Sequence, residues 1–217
     1  MVVTKLVRTG TVLTLLAVGL AACGEVATAP SGLSPQAGPL MVSGSSNPTS
    51  ESGSRKFVIR PGSPLDERLG DHFLKLPADV VCDPATSGYG SALWDAPCAS
   101  IAEPIEITAT WGTVGGRPVI SFSPDLRFVP SANPDRWVQL TLKDTKGVDE
   151  DLYYAILWYD PSANAWVDES LTDPTLKARA NKSGNMVTRR LKHFSDYLLD
   201  SRFAGYNLTS GFGGEDW

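Results

Sequence analysis

The sequence has very little histidine and none of the short motifs that usually accompany catalysis. Only two histidines, His72 and His193, occur in 217 residues, whereas a hydrolase triad needs a base beside a nucleophile and an orienting acid. A Gly-x-Ser-x-Gly elbow, a phosphate-binding loop and a Gly-x-Gly-x-x-Gly turn are also missing. Two carboxylates would suffice for a glycosidase, but a folded region of about 150 residues is a small scaffold for that chemistry. We therefore expect neither an enzyme acting on external substrates nor a cofactor.

Cysteine is equally scarce, and the first of the three, Cys23, ends a segment with the layout of a secretory signal. Lys5 and Arg8 form a short basic head, and an apolar run follows at residues 11–20. That run is too short for a permanent membrane-spanning helix. Leu20-Ala21-Ala22-Cys23 resembles a bacterial lipobox, which predicts removal of residues 1–22 and acylation of Cys23. A plain secretory signal that carries a cysteine is the alternative.

Acylation of Cys23 would attach the mature chain to a membrane through its first residue. Such attachment is durable because each buried methylene contributes about 0.8 kcal/mol. We expect a protein of the bacterial cell envelope, at the outer membrane or the cell surface. Without Lys5 and Arg8, 17 basic residues remain against 24 acidic ones, a net charge of −7. A protein this acidic is not expected to bind nucleic acid.

The other two cysteines, Cys82 and Cys98, are separated by 15 residues. The signal predicts an oxidising compartment, where two remaining thiols form a disulfide. By loop entropy that bond would stabilise the fold by roughly 3 kcal/mol. Zinc is the alternative, but it takes four ligands and no further Cys or His lies nearby at ligand spacing. We expect no metal site.

The composition divides the mature chain into a tether, a domain and a tail. Residues 23–54 are rich in Gly, Ser, Pro, Thr and Ala and have almost no large apolar side chains, which predicts a disordered linker. Its mean reach would be roughly 30 Å. Residues 205–217 are Gly-rich and are expected to form a loose tail. One domain, residues 55–204, remains between them.

Short strands dominate the pattern of this domain. Ile105 to Trp111 and Trp137 to Asp144 alternate apolar and polar side chains, as half-buried strands do. Tyr153 to Asp160 is apolar on both faces, which is typical of a central strand, and a turn at Asp160-Pro161 leads into another strand near Trp166. Many strands of this length with little helical periodicity predict an all-β fold, an antiparallel β-sandwich.

Two loops carry residues that offer a functional interpretation beside a structural one. In the loop between Cys82 and Cys98, Tyr89 and Trp94 could form a platform for a ligand or sugar, or could fold back into the core. In the loop Gly147–Leu152, Asp149, Glu150 and Asp151 are acidic, but they lack the spacing of an EF-hand and are interpreted as a solvated turn.

The segment Arg189–Asp200, RRLKHFSDYLLD, contains His193, Phe194 and Ser195. On a continuous strand, His193 and Ser195 would share one face and Phe194 would point the other way. A bend at Phe194 would instead allow an acyl shift, in which the Ser195 hydroxyl attacks the Phe194 carbonyl while His193 handles the proton. The packing role and the self-cleavage role both remain open at this point.

The order of motifs in the second half of the domain resembles the ZU-five domain, named for zonula occludens and Unc-five. The resemblance covers Phe122 to Leu199 through FSPDLRFVP, AILWYDPSANAWVDES and RRLKHFSDYLL. It implies a β-sandwich that acts mostly as an interaction module. Some animal members self-cleave between Phe and Ser of His-Phe-Ser, which here implies the bond Phe194–Ser195. The loop between Cys82 and Cys98 departs from the family pattern.

Together these observations predict a membrane-tethered envelope lipoprotein that presents a non-catalytic β-sandwich to an envelope protein or a glycan. The alternatives are a self-cleaving domain with His193, Phe194 and Ser195 as its reacting residues, and a carbohydrate- or ligand-binding module that uses Tyr89 and Trp94.

Overall fold

The computed structural model describes residues 52–149 and 151–203, with only the backbone described for the last two. Cys23, the predicted signal peptide, nearly all of the predicted linker, the acidic residue Glu150 and the predicted tail lie outside the described residues. Within them, two antiparallel sheets form a β-sandwich, which confirms the predicted fold class. The first strand begins at Gly53, so residues 53 and 54 belong to the sandwich rather than to the linker.

Sheet A has six strands in the order β1-β4-β5-β11-β7-β8. Their neighbours are antiparallel throughout. The bounds are β1 Gly53–Ile59, β4 Ile105–Val114, β5 Arg117–Ser123, β7 Leu152–Asp160, β8 Ala165–Val167 and β11 Asp196–Phe203.

Sheet B has five strands in the order β2-β3-β6-β10-β9. All of its pairs are antiparallel as well. The bounds are β2 Leu65–Leu69, β3 His72–Leu76, β6 Val138–Lys143, β9 Arg179–Asn181 and β10 Met186–Leu191. One helical turn, α1 Pro84–Ser87, and several 3-10 turns connect the strands.

Alternating side chains of both sheets fill one core between them. In β6, Val138, Leu140 and Leu142 are buried while their polar neighbours are partly exposed. In β4, Ile107 and Ala109 enter the same core. The period-two interpretation of these two segments is therefore confirmed, because the pleat sends successive side chains to opposite faces.

The strand β7 lies in sheet A between β11 and β8 and is buried on both faces, as its sequence predicts. Ile156 and Trp158 face the main core. Ala155 and Leu157 belong to a second, smaller cluster that also contains Val119 of β5. The predicted hairpin is confirmed, since β8 pairs with β7 and Tyr159 lies opposite Trp166.

Residues 185–199 have the sequence pattern of one strand, but the segment around His-Phe-Ser is not a continuous strand, so the prediction of a strand through it is wrong. β10 ends at Leu191 in sheet B and β11 begins at Asp196 in sheet A, so the chain crosses from one sheet to the other between them. The physical reason is that the residues before the crossing pair with β6 in sheet B, whereas those after it pair with β5 and β7 in sheet A, so one straight strand cannot satisfy both. The sequence LRFVP of the segment Leu126–Pro130 likewise predicts a short strand between turn residues, but the segment forms only isolated bridges, with His193 and with Val81.

Candidate functional site

The residues Lys192 to Ser195, which we call the crossing, connect the two sheets and are held by backbone hydrogen bonds. Phe194 N donates to Leu126 O at 2.6 Å, and Lys192 O accepts from Phe128 N at 2.8 Å. Ser195 O accepts from Phe122 N at 3.1 Å. The Phe194 side chain is fully buried and stacks on Phe122, with ring centroids 4.5 Å apart. The peptide bond between Phe194 and Ser195 is therefore fixed on both sides.

His193 is fully buried among aromatic rings. Its imidazole stacks on Trp94, with centroids 3.9 Å apart, and meets the edge of Trp158 at 5.1 Å. Nδ1 lies 3.2 Å from the hydroxyl oxygens of both Tyr89 and Tyr197. Burial lowers the pKa of His193, although Glu169 opposes that shift. The imidazole is therefore neutral at neutral pH and can accept a proton.

Glu169 orients the histidine from the side opposite the tyrosines. Its Oε1 lies 3.3 Å from His193 Nε2, and its Oε2 forms a buried ion pair with Arg189. Burial opposes ionisation of Glu169, but the hydrogen bond from His193 and the charge of Arg189 outweigh it and hold the pKa of this carboxyl below its usual value. An ionised Glu169 favours the imidazole tautomer with its proton on Nε2, which leaves Nδ1 as an acceptor.

The two groups that would react in a self-cleavage, the Phe194 carbonyl and the Ser195 hydroxyl, each accept a hydrogen bond from an aromatic side chain. The Tyr89 hydroxyl donates to Phe194 O at 2.8 Å, and Trp158 Nε1 donates to Ser195 Oγ at 3.1 Å. Burial raises the pKa of Tyr89, with the charge of Asp125 adding to the effect. The phenol therefore keeps its proton and serves as a donor to the Phe194 carbonyl.

The loop from Cys82 to Cys98, which we call the stapled loop, covers the crossing. The predicted disulfide is confirmed, with the two Cα atoms 5.6 Å apart. Arg127 Nη1 donates to the carbonyl oxygens of Leu93 and Ala96, each at 2.6 Å. Lys192 of the crossing binds Asp95 of the loop at 2.7 Å. The loop is thus closed by the disulfide, held by Arg127 through hydrogen bonds and attached to the crossing by the ion pair between Lys192 and Asp95.

The two aromatic residues of the stapled loop do not form an open platform. Trp94 is only 7% exposed and packs in the core, which follows the alternative interpretation of its role and leaves little of its ring for a ligand. Tyr89 is 38% exposed, but its hydroxyl points into the crossing. The structure therefore brings Tyr89, Trp94, His193, Phe194 and Ser195 together in one site.

Several members of this site were not found from the sequence. Glu169 and Arg189 lie 24 and 4 positions before His193, and Trp158 lies 37 positions before Ser195. Since these partners come from other strands and turns, no local spacing connects them to the motif. The apolar run that contains Trp158 indicated only a buried strand.

A second surface feature, a groove, lies on the outer face of sheet B. This groove has a volume of about 520 Å³. The guanidinium of Arg190 lies over the ring of Trp137, 4.5 Å from its centroid. The groove is lined by polar, apolar and basic side chains: Pro134, Trp137, Gln139, Pro174, Thr175, Lys177, Ala178, Arg179, Thr188 and Arg190.

Residues 52–149 and 151–203, which the structure describes, contain neither a metal-binding cluster nor a membrane-spanning helix. No cluster of three or more His, Cys, Asp or Glu side chains suited to a metal ion occurs among them. No helix among them is sufficiently long and apolar for a membrane crossing.

Comparison with known proteins gives no family for this chain. No family model matches it, and no curated protein or solved structure is significantly similar to it. The resemblance to the ZU-five domain therefore stays a prediction from the sequence.

Proposed function

We propose that this chain is a membrane-tethered envelope lipoprotein whose β-sandwich binds another envelope component without catalysing a reaction. The predicted acylation of Cys23 would tether it, and the resemblance to ZU-five interaction modules supports a binding role. The observation that carries the proposal is the groove on the outer face of sheet B, a concave surface in the size range of ligand sites.

The charge of the groove indicates the chemistry of its ligand. Lys177, Arg179 and Arg190 contribute three cations, and no acidic side chain is among the described residues that line it, in a mature chain of net charge −7. Asp173, next to Pro174, binds Lys192 Nζ at 2.7 Å instead. A cationic groove attracts anions, and the partly buried Trp137 ring offers apolar contact beside the charges. The ligand we propose is an acidic glycan of the envelope.

Binding to a uronic-acid polysaccharide tests this proposal, with a neutral glucan as the comparison ligand. Arg179→Ala and Lys177→Ala should each weaken binding by roughly tenfold, because each removes a charge contact worth about 1.4 kcal/mol. Lys56→Ala, an exposed cation on sheet A, is the matched control and should bind like the wild type. Equal binding of the neutral glucan, or no effect of the groove variants, would reject the acidic glycan; binding of an acidic peptide alone would point to a protein partner.

The tether has its own test. Cells that express the chain should incorporate labelled palmitate into the wild type and not into Cys23→Ala. Equal labelling of both proteins would reject acylation at Cys23 and leave the binding role of the groove untouched.

A second candidate function is self-cleavage of the bond Phe194–Ser195. The observation that favours it is the Tyr89 hydroxyl, which donates to Phe194 O while lying 3.2 Å from His193 Nδ1. In this reaction Ser195 Oγ bonds to the Phe194 carbonyl carbon and releases its proton, which His193 accepts. The C–N bond then breaks as the Ser195 nitrogen gains a proton, and water hydrolyses the resulting ester.

Denaturing mass spectrometry separates the two candidates. Cleavage would produce a fragment of 23 residues that begins at Ser195. Because β11 pairs with both β5 and β7, this fragment would stay bound to the folded domain and would not separate from it in size-exclusion chromatography. Ser195→Ala should abolish cleavage, and His193→Ala should slow it. A single intact mass after prolonged incubation of the folded wild type would leave the crossing with a purely structural role.

A further inference from the structure

We propose that Tyr89 is a catalytic hydrogen-bond donor for cleavage of Phe194–Ser195, and that the Cys82–Cys98 disulfide makes this cleavage depend on oxidation of the chain. The inference rests on the second candidate function, self-cleavage at the crossing. Tyr89 belongs to the stapled loop, which is the part of the chain that departs from the ZU-five pattern. The loop would therefore determine when cleavage can occur.

The position of Tyr89 suits stabilisation of an oxyanion. When Ser195 Oγ attacks, the carbonyl π electrons move onto Phe194 O, which gains negative charge. The Tyr89 hydroxyl already donates to this oxygen at 2.8 Å, within the range of effective oxyanion donors. A donor that is in place before the reaction stabilises the transition state more than the uncharged carbonyl, and this difference raises the rate.

His193, a neighbour of Tyr89, can accept the proton of the reaction and return it. The Tyr89 hydroxyl is hydrogen-bonded to the Ser195 side chain and lies 3.2 Å from Nδ1 of the neutral His193. It can therefore take the proton released by Ser195 while it passes its own proton to His193, and the proton it has received is then the one it donates to Phe194 O. His193 then returns a proton to the Ser195 nitrogen as the C–N bond breaks. Ester hydrolysis consumes one water and produces a carboxylate on Phe194 and a free amine and hydroxyl on Ser195. No oxidant or cofactor takes part in these steps.

The backbone around Tyr89 explains why its position depends on the disulfide. Tyr89 stands between Gly88 and Gly90, which have φ angles of +64° and +136°, and glycine has more conformational freedom to lose than any other residue. The segment therefore needs closure elsewhere to hold the hydroxyl at Phe194 O. The bond Cys82–Cys98 supplies that closure covalently at the base of the loop, beside the backbone bonds from Cys82 N to Arg127 O and from Asp83 N to Ala99 O. The Arg127 guanidinium holds Leu93, Ala96 and Pro97, on the far side of Gly90.

The full chain is purified under reducing conditions and then oxidised. Mass spectrometry of denatured samples taken over time measures the rate of cleavage. Tyr89→Phe keeps the ring but removes the hydroxyl, and we expect it to slow cleavage on the order of 10²–10³-fold. Tyr154→Phe is the matched control. The Tyr154 hydroxyl likewise donates to a backbone carbonyl, that of Gly147, although Tyr154 is buried whereas Tyr89 is partly exposed, and the variant should cleave at the wild-type rate. Melting curves establish a temperature at which all variants are folded.

The disulfide is tested in the same assay. The double variant Cys82→Ala/Cys98→Ala should cleave more slowly than the oxidised wild type. Adding Tyr89→Phe to that variant should slow it less than Tyr89→Phe slows the wild type, since the hydroxyl is already poorly placed. Folded but reduced wild type provides a second measurement that needs no substitution, and it too should cleave slowly.

The outcomes distinguish the inference from the function on which it rests. An oxidised wild type that stays intact rejects self-cleavage and, with it, the role of Tyr89. If the wild type and Tyr89→Phe cleave equally fast, self-cleavage is supported but the role of Tyr89 is overturned. A reduced wild type that cleaves as fast as the oxidised one overturns the dependence on the disulfide.

Discussion

The two sheets share one core but differ on the faces that point away from it. The outer face of sheet A carries the second apolar cluster, formed by Val119, Ala155, Leu157 and Leu198, with Val114, Tyr153 and Trp166 packed against it. The outer face of sheet B instead presents Gln139, Thr141, Thr188 and Arg190, of which Gln139, Thr188 and Arg190 line the groove. Sheet A is therefore built to bury both faces at its centre, and sheet B to bury one.

We infer from this difference that the outer face of sheet A contributes to stability, whereas the outer face of sheet B contributes to binding. Side chains that are covered on the outer face of sheet A contribute apolar burial. Those on the outer face of sheet B are available to a ligand. The first prediction below breaks the ion pair that links the sheets, the second tests whether stability and binding separate between their outer faces, and the third concerns a single buried residue of sheet B.

The largest effect is expected at the ion pair that links the sheets. Arg189 of β10 donates to Ile156 O of β7 and pairs with Glu169. Glu169→Ala should destabilise the fold by about 3–5 kcal/mol, because a buried guanidinium would be left without its counterion. Chemical denaturation measures the change, and Glu106→Ala, from an exposed pair with Lys56, should cost about 1 kcal/mol or less. Similar losses for both variants would mean that Glu169 contributes no more than a surface pair.

The second effect separates the two outer faces. Leu157 is 2% exposed in the outer cluster of sheet A, so Leu157→Ala should cost about 2–3 kcal/mol and leave binding to the acidic glycan unchanged below the melting temperature. Arg179→Ala, on the exposed edge strand of sheet B, should change stability by about 0.5 kcal/mol or less and weaken binding. Parallel denaturation and binding measurements on both variants test this; a loss of stability in Arg179→Ala equal to that in Leu157→Ala would contradict it.

The smallest effect concerns His72 on β3 of sheet B. Burial lowers its pKa from 6.5 to about 4, with Asp71 opposing and Lys143 adding to the shift, and Nδ1 accepts from Lys143 N at 3.1 Å. As the pH falls, the unfolded chain binds this proton first, so the stability from His72 is present above pH 6.5 and is lost towards pH 4. The loss should reach about 2 kcal/mol by about pH 5.

Denaturation at several pH values checks this prediction, with His72→Gln as the comparison. The pKa of His193 is also lowered by burial, so the wild type carries two contributions of the same sign. His72→Gln should retain only part of the pH dependence between neutral and mildly acidic conditions. An unchanged slope in His72→Gln would show that the buried His72 does not titrate as expected.

Much of the sandwich could be predicted because its strands carry local patterns. The alternation of β6 and the doubly apolar β7 report directly which faces are buried. The hairpin of β2 and β3 was missed, although His72, Leu74 and Leu76 of β3 alternate with exposed residues. Its turn uses Gly70, where φ is +62° and an added Cβ would lie 2.6 Å from Trp111 Nε1. Only the folded structure shows that close approach.

The sequence by itself determined the strands with a clear pattern, such as β4, β6 and β7, the β-sandwich class and the pairing of Cys82 with Cys98, because periodicity and the small number of thiols leave few choices there. The tertiary structure decided that His193-Phe194-Ser195 lies at a crossing between the sheets, because adjacent strands in the chain joined different sheets. It also decided that Tyr89, 105 positions away, donates to Phe194 O. Partners this distant in sequence meet only through packing of the whole core, which no local pattern encodes.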